Sequence, residues 1–324
     1  MRGTALAAAL LVVCGAAAAG EAGLDPREVH LANIRQLTFE GENAEGYWSP
    51  DGKQIIFQSK HGTMGCDQIF VMNADGSGAH LVSTGGGRTT CSYFFPDMKR
   101  ILYASTHAES PACPENPDFS KGYVWKLYPS YEIYSALADG SDVRRLTDNP
   151  GYDAEATFAP DGSRVIFTSL RNGDLDLYTM KPDGTDVHRI TKEPGYDGGA
   201  FFSRDGKRIV WRASRPKTDA EKAAYQELLR ESAIRPMALE IFVANADGTK
   251  AKQLTSNGAA NFGPYFFPDG RRVIYASNVG DPNGRNFDLW MVKDDGTGLE
   301  QITFNDTFDG FPMFSPDGKK LLFA

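Results

Sequence analysis

Basic runs, catalytic signatures and long apolar stretches are all missing from this chain of 324 residues. Lys and Arg number 34 against 42 Asp and Glu, a net charge of −8 with no cationic stripe, which argues against nucleic acid and anionic membrane surfaces as partners. No GxSxG, HExxH, P-loop or Rossmann glycine signature occurs, so no familiar hydrolase, metalloprotease or nucleotide site is written here. The five histidines, His30, His61, His80, His107 and His188, lack the paired spacing of a zinc site. Neither a metal nor an organic cofactor is expected. Past residue 19 no segment is a membrane candidate.

Apolar residues do cluster at the start. Residues 1–19 read as a secretory signal peptide, with Arg2 as its charged start, Ala5 to Val13 as its apolar stretch and Ala17-Ala18-Ala19 as a small-residue cleavage site. The stretch is too short to span a bilayer. The expected location is therefore periplasmic or secreted. Cys14 offers a lipoprotein anchor as the alternative, but a lipid-attachment box wants a small residue before the Cys and Val13 is not small. Removing the signal takes away one base and leaves a net charge near −9.

One phrase is present six times. It reads SPDGKQIIFQS from Ser49, FPDMKRILYAS from Phe95, APDGSRVIFTS from Ala159, SRDGKRIVWRA from Ser203, FPDGRRVIYAS from Phe267 and SPDGKKLLFA from Ser315. Pro presets φ at the corner, Gly supplies the positive φ of a tight hairpin, and the alternating apolar run behind them is a strand. Met98 replaces the Gly in the second copy, so that turn is expected to be of a slightly different type. A second phrase alternates with the first: QIFVMNADGS from Gln68, EIYSALADGS from Glu132, DLYTMKPDGT from Asp176, EIFVANADGT from Glu240 and DLWMVKDDGT from Asp288. Most copies run on into a strand ending in Leu-Thr or Ile-Thr.

Each unit is thus four strands, a to d, and radially repeated four-stranded units are propeller blades. The turn markers Asp51, Asp97, Asp161, Asp205, Asp269 and Asp317 are spaced by 46, 64, 44, 64 and 48 residues, the long gaps being inserts between strands b and c of blades 2 and 4. The expectation is an all-β fold: a six-bladed β-propeller of four-stranded antiparallel blades over residues 34–324, after a lead-in at 20–33. Ile34-Arg35-Gln36-Leu37-Thr38 matches the end of a strand d, so this N-terminal strand should close the last blade. Strand b of blade 6 ends at Ala324, which leaves that blade without a strand c and suggests a further short C-terminal piece.

The a–b and c–d turns share one face, small and repetitive. The other face carries the irregular loops, where function tends to sit. At the start of strand a stand Asn43, Thr89, Asp153, Asp197, Asn261 and Asp309, and two positions on stand Glu45, Cys91, Glu155, Gly199, Gly263 and Phe311. Period 2 puts both sets on one side of the innermost strand, as a polar, net-negative collar around the channel mouth. The candidate ligand-binding residues are Asn43, Glu45, Asp153, Glu155, Asp197, Asn261 and Asp309, with Arg88 as the nearby cation. Plain turn capping by Asp and Asn is the competing reading. Two inserts, 106–131 and 214–239, could form a canopy over the collar. The middle of the second reads as a helix capped by Thr218 or Asp219, with Ala220, Ala223, Ala224, Leu228 and Leu229 as its apolar stripe. Cys66, Cys91 and Cys113 fall on this face. An odd count in an exported chain suggests one disulfide, and Cys66 with Cys91 is the preferred pair because their blades are adjacent.

Phrases such as WSPDGKQIIFQS, IFVMNADGS and RLTDNPGYDAEATFAPDGSRVIF resemble the propeller repeats of the TolB family, over nearly the whole stretch from Ile34 to Ala324. The resemblance implies a periplasmic six-bladed propeller that binds a peptidoglycan-associated lipoprotein at its channel mouth. The family's N-terminal α/β domain is not expected here, since about fifteen residues separate the signal from the first strand. The expected function is a monomeric binding or scaffold module for an envelope protein, peptide or glycan. The alternatives are a hydrolase or lyase built in the channel mouth, or an accessory propeller of a separate peptidase.

Overall fold

The repeated turn works by a division of labour. The Ser49 hydroxyl donates to Asp51 Oδ1 at 2.7 Å and accepts the Gln54 N–H, Asp51 Oδ1 also accepts the Lys53 N–H, and Gly52 supplies a φ of +70°. The same bonds recur at Ser203–Arg208 and Ser315–Lys320. Met98 does not change the turn type. It takes φ +59° and donates its N–H to Phe95 O at 2.9 Å, as Gly52 donates to Ser49 O at 2.8 Å. The turn's hydrogen bonds outweigh the cost of a left-handed non-glycine residue. In the c–d turns, Asp75, Asp139, Asp183, Asp247 and Asp295 each accept both the N–H and the hydroxyl of a Ser or Thr two residues on.

The computed structural model describes residues 25–120 and 122–324. It is an all-β propeller of four-stranded antiparallel blades, each in the order a-b-c-d from the axis outward. Blade 1 comprises Glu42–Trp48, Gln54–Lys60, Gln68–Asn73 and His80–Leu81. Blade 2 comprises Thr89–Phe94, Arg100–Ser105, Glu132–Leu137 and Arg144–Arg145. Blade 3 comprises Asp153–Phe158, Val165–Ser169, Asp176–Met180 and His188–Arg189. Blade 4 comprises Asp197–Phe202, Arg208–Ala213, Glu240–Asn245 and Lys252–Gln253. Blade 5 comprises Asn261–Phe266, Arg272–Ser277, Asp288–Lys293 and Glu300–Gln301. The signal peptide assigned to residues 1–19, Cys14 and the first part of the lead-in lie outside the described residues. Among the described residues no helix is long and apolar enough to cross a membrane.

Among the described residues five blades are complete, not six. The sixth repeat is a hairpin of Met313–Phe314 with Leu321–Leu322, and residues 34–38 form no strand, so the N-terminal strand d expected to close an incomplete last blade is not made. A strand d hydrogen-bonds to a strand c, and no described residue pairs as strand c here. The hairpin nevertheless completes the ring. Trp48 N–H of blade 1 points at Met313 Sδ, 3.3 Å away, and Phe314 packs on Phe267 of blade 5 at 4.7 Å.

The two inserts meet. Trp125–Lys126 pairs antiparallel with Ala233–Ile234, and a helix, α1 (Asp219–Arg230), precedes the second of these strands. Thr218 caps α1 through a capping box with Glu221. Its alanines stay exposed. Leu229 is buried and Tyr225 and Leu228 are half-buried, Leu229 and Tyr225 packing with Leu127, Tyr131, Tyr152, Tyr196 and Ile234. The disulfide joins Cys66 to Cys113 across a Cα–Cα distance of 5.9 Å, which ties the blade 2 insert to blade 1. This corrects the expected Cys66–Cys91 pair. Cys91 sits on strand a, turned toward the channel, and remains a free thiol.

Candidate functional site: the channel mouth

Every strand a carries a β-bulge at the same place. The register shifts at Ala44/Tyr47, Thr90/Tyr93, Ala154/Thr157, Gly198/Phe201 and Phe262/Tyr265. The bulged residues Glu45, Cys91, Glu155, Gly199 and Gly263, and Phe311 of the sixth repeat, all have φ between +49° and +59°. A bulge bends the strand and re-aims a side chain. It also breaks period 2, so the two polar sets do not face the same way.

The first set turns into the blades. Asp153 and Asp197 are fully buried. Asp153 accepts from Arg171 Nη2 at 3.2 and 3.1 Å, and Asp197 accepts from Trp211 Nε1 and Arg215 Nη2, both at 2.6 Å. Burial pushes the Asp153 carboxyl up to about 6 and that of Asp197 to about 7, against the pull of those arginines. Asn261, also fully buried, donates to Leu239 O at 2.6 Å and accepts from the Ser277 hydroxyl. Asn43 donates to Glu40 O, and Asp309 accepts from Asn305 Nδ2. These side chains fix the entry of strand a, Asp153 and Asp197 to their own blade, Asn261 to blade 4 through Leu239, and Asn43 and Asp309 to the connection just before the strand. Arg88 is held at the rim by Asp67 and Asn116, at 3.0 and 3.1 Å.

The bulged set converges on the mouth. Glu155 of blade 3 accepts the Gly199 N–H of blade 4 at 2.8 Å, the Thr168 hydroxyl at 2.6 Å, the Tyr196 hydroxyl at 3.1 Å and the Arg212 guanidinium. Glu45 of blade 1 accepts the Cys91 N–H of blade 2 at 3.2 Å. Arg212 stacks under Trp125 of the canopy at 5.2 Å and on Tyr196 at 5.5 Å. One layer deeper, Tyr47, Tyr93, Phe201 and Tyr265 fill the axis with ring contacts of 5.3 to 6.3 Å. The mouth is therefore floored by these rings and covered on one side by the inserts.

Arg212, Tyr196 and Trp125 were not among the expected site residues, yet they complete the site. Gly199 carried a usable signal: where neighbouring blades place Glu45, Cys91 and Glu155, this blade has no side chain, and the Arg212 guanidinium occupies the space a Cβ would need.

The charges are unbalanced, with Glu45 and Glu155 facing the single guanidinium of Arg212. Burial first, and Glu155 in part, push the Glu45 carboxyl from its ordinary 4.5 to about 7, while the Cys91 hydrogen bond and Arg212 pull the other way. The folded protein thus keeps this proton to a higher pH than the unfolded chain, so Glu45 lowers stability progressively as pH rises from 4.5 to about 7. Glu45→Gln should leave the melting temperature nearly unchanged at pH 5 and raise it at pH 8. Melts of both proteins at the two pH values check this, and a shift of equal size at both would contradict it. Burial, and Glu45 after it, push the Cys91 thiol well above its usual range, which makes it a poor nucleophile.

Two open concavities lie elsewhere. One of about 660 Å³ is lined by turn residues Pro160, Asp161, Arg204 and Asp205, and one of about 960 Å³ by Asp281, Arg285, Asn305 and Asp306. The first gathers charged groups of two adjacent blades at their turns, Asp161 and Arg164 of blade 3 with Arg204, Asp205 and Asp247 of blade 4, on the face opposite the inserts. In the second, the Asp281 carboxylate is occupied by the N–H groups of Asn283, Arg285 and Asn286. Among the described residues no group of three or more His, Cys, Asp or Glu is arranged to hold a metal.

Residues 124–235 match the family described as TolB beta propeller domain. A stretch of 43 residues, 13% of the chain, is 51% identical to the Tol-Pal system protein TolB of Bordetella pertussis and covers 10% of that protein. Another of 141 residues, 40% of the chain, is 26% identical to dipeptidyl-peptidase 5 of Porphyromonas endodontalis and covers 18% of it. The crystal structure of TolB from Acinetobacter baumannii superposes with a TM-score of 0.61 at 20% identity, covering 83% of this chain and 56% of that one. The chain thus spans well under two thirds of the length of each of these relatives, and the structural likeness speaks for the fold.

Proposed function

We propose that this TolB-like β-propeller is a binding module whose working surface is the channel mouth and canopy. The observation that carries the reading is the convergence of Glu45, Glu155 and Arg212 from three blades at the channel mouth, beneath Trp125 of the canopy. Three polar or charged residues there, Glu45, Cys91 and Glu155, hold left-handed backbone that L-residues avoid, and strain of this kind gathers at ligand sites. A concave site with a few convergent polar groups suits a protein loop or peptide presenting a cation. The excess carboxylate favours a Lys, Arg or amino-terminal group over an anionic glycan.

Asp153, Asp197, Asn261 and Asp309 serve this site from behind, by fixing the entry of each strand a, while Asn43 and Arg88 shape the rim. The compartment is periplasmic or secreted. Arg2 and the apolar run to Val13 support it from the sequence, and the Cys66–Cys113 disulfide suits an oxidising environment. Site-directed photo-crosslinking in the envelope tests the reading. A crosslinker at exposed Tyr123 of the canopy should capture a partner, and Glu45→Gln should weaken capture and reduce its salt dependence. Capture only from a crosslinker at Asp139, on the turn face, would move the working surface to the opposite side.

One observation favours a second reading, an enzyme at the same mouth. The Glu45 carboxyl, pushed to about 7 by burial, lies beside the Glu155 carboxyl, and a hydrolase or lyase uses such a pair of carboxyl groups. Similarity to a peptidase over 141 residues leaves room for a role beside a separate catalytic chain. Turnover of an envelope peptide or glycan that is abolished by Glu45→Gln would decide for the enzyme.

A further inference from the structure

Blade 5 departs from a pattern that the other four complete blades keep. Two residues beyond the end of the b–c pairing, a side chain folds over the aromatic residue at the third position of strand c. His61 lies against Phe70 at 4.9 Å and His107 against Tyr134 at 4.3 Å. The Arg171 and Arg215 guanidiniums stand over Tyr178 and Phe242 at 4.9 and 5.0 Å. Each of these four aromatic residues is buried. The register of blade 5 pairs Ser277 with Asp288, which puts Val279 and Trp290 at the same two positions. Valine is too short to cover an indole, and Trp290 stays half-buried.

A negative charge beside that indole is left over as well. Strand c opens with an acid in blades 2 to 5. In blades 2 and 3 an arginine of strand d answers it, Arg145 to Glu132 at 2.7 Å and Arg189 to Asp176 at 2.5 Å. In blade 4, Glu240 accepts from the Thr255 hydroxyl, the Gly258 N–H and Asn261 Nδ2. Asp288 of blade 5 accepts from Gln301 at 3.1 Å and Thr303 at 3.4 Å, and makes no ion pair among the described residues. Burial first, then the Asp309 charge, push its carboxyl up to about 6. Two arginines line the same concavity of about 960 Å³. Arg27 is committed to Asp25 at 2.6 Å and to the Phe304 ring at 4.5 Å, and Arg285 is exposed.

We propose that the recess between Val279, Trp290 and Asp288 binds the guanidinium group of a ligand, in the place that Arg171 and Arg215 fill in blades 3 and 4. A guanidinium is planar and weakly hydrated, so it stacks on an indole, the best aromatic face for a cation. Its fork of N–H groups matches the Asp288 carboxylate. Asp306 on the wall adds charge of the same sign as Asp288. The site is separate from the channel mouth, which is built on the innermost strands, whereas Asp288, Trp290 and Gln301 belong to the two outer strands of blade 5.

The probe is N-acetyl-arginine amide, and the control is N-acetyl-citrulline amide, which carries a neutral urea of the same shape. Calorimetric titration of the 324-residue chain should show one saturable site for the probe and about 10-fold weaker binding of the control. Val279→Arg supplies the cation from within and should abolish binding. Asp288→Asn keeps the shape of the recess and should weaken binding about 10-fold, which decides the matter even if Val279→Arg lowers the melting temperature. Methylguanidine binding as tightly as the probe would identify a small guanidine as the ligand, and tighter binding of the probe an arginine of a polypeptide. Both results uphold the guanidinium. Absence of binding, equal binding of the citrulline compound, or indifference to Asp288→Asn overturns the proposal. So does binding that survives Val279→Arg and is lost with Glu45→Gln, which would place the cation at the channel mouth.

Discussion

Arg212→Met should destabilise the protein by about 3–5 kcal/mol at pH 7.5, the usual consequence of removing one partner from a buried ion pair. Arg212 is 10% exposed, as is the Glu155 it binds, and among the described residues no other cation is paired with that carboxylate. Met retains most of the stem volume, so the loss is chiefly electrostatic. Without the guanidinium, Glu155 and Glu45 would share a buried pocket as two like charges. Glu45, which Arg212 now pulls downward, would then hold its proton to a higher pH than in the parent. The unfolded state would release that proton first, so the loss should be smallest near pH 5 and grow toward pH 8. Trp125 would also lose its cation at 5.2 Å, and the canopy should become more open to exchange. Adding Glu155→Gln to Arg212→Met should recover a large part of the loss, since it removes the stranded charge. Urea unfolding of the parent, single and double variants at pH 5 and pH 8 measures all of this. A pH-independent loss with no recovery in the double variant would mean that Arg212 acts by packing alone.

The architecture was legible because it is written in short-range chemistry. Ser49, Asp51 and Gly52 specify their turn within six residues, and Asp75 with Ser77 specifies theirs within three, so repetition of those phrases announces the blades. The sixth blade was over-read for the same reason. A strand d signature at Gln36–Thr38 does predict where the segment lies, but a strand also needs a neighbour to bond with. The canopy helix was visible from Thr218 and Glu221, whereas the pairing of Trp125–Lys126 with Ala233–Ile234 was not, because two-residue strands about a hundred positions apart have no period to detect. The site was half legible. Period 2 placed Asn43 and Glu45, or Asp153 and Glu155, on one side of strand a. A single bulged residue per strand reverses that, sending the first of each pair into the blade and the second into the mouth. No local composition marks a bulge occupied by Glu or Cys, since the usual flag is the glycine found only at Gly199 and Gly263.

Loss of the Cys66–Cys113 disulfide should cost about 4 kcal/mol, by closure entropy for a loop of this length. The two cysteines are 47 residues apart, and between them lie the last two strands of blade 1 and the first two of blade 2. Released, the unfolded chain gains the freedom of that whole segment. The folded chain also loses its tether on the insert at 106–131, whose other ties near the disulfide are Arg88 to Asn116 and Gly87 N–H to Pro111 O. The double variant Cys66→Ser, Cys113→Ser should therefore unfold at lower urea than the parent, and hydrogen exchange should rise first in the insert and at Trp125–Lys126. Cys91→Ser is the control. It removes a lone, half-buried thiol that closes no loop, so its effect should fall below about 1 kcal/mol, as for substitutions that leave no large cavity or stranded charge. Peptide mapping without reductant should recover the 66–113 link, with Cys91 alkylated only after unfolding. A Cys66–Cys91 link would require Cys91 to leave its bulge, where φ is +52° and its N–H is bonded to Glu45, and would break the ring of mouth residues at blade 2. The same experiment thus reports on stability and on whether the mouth keeps its geometry.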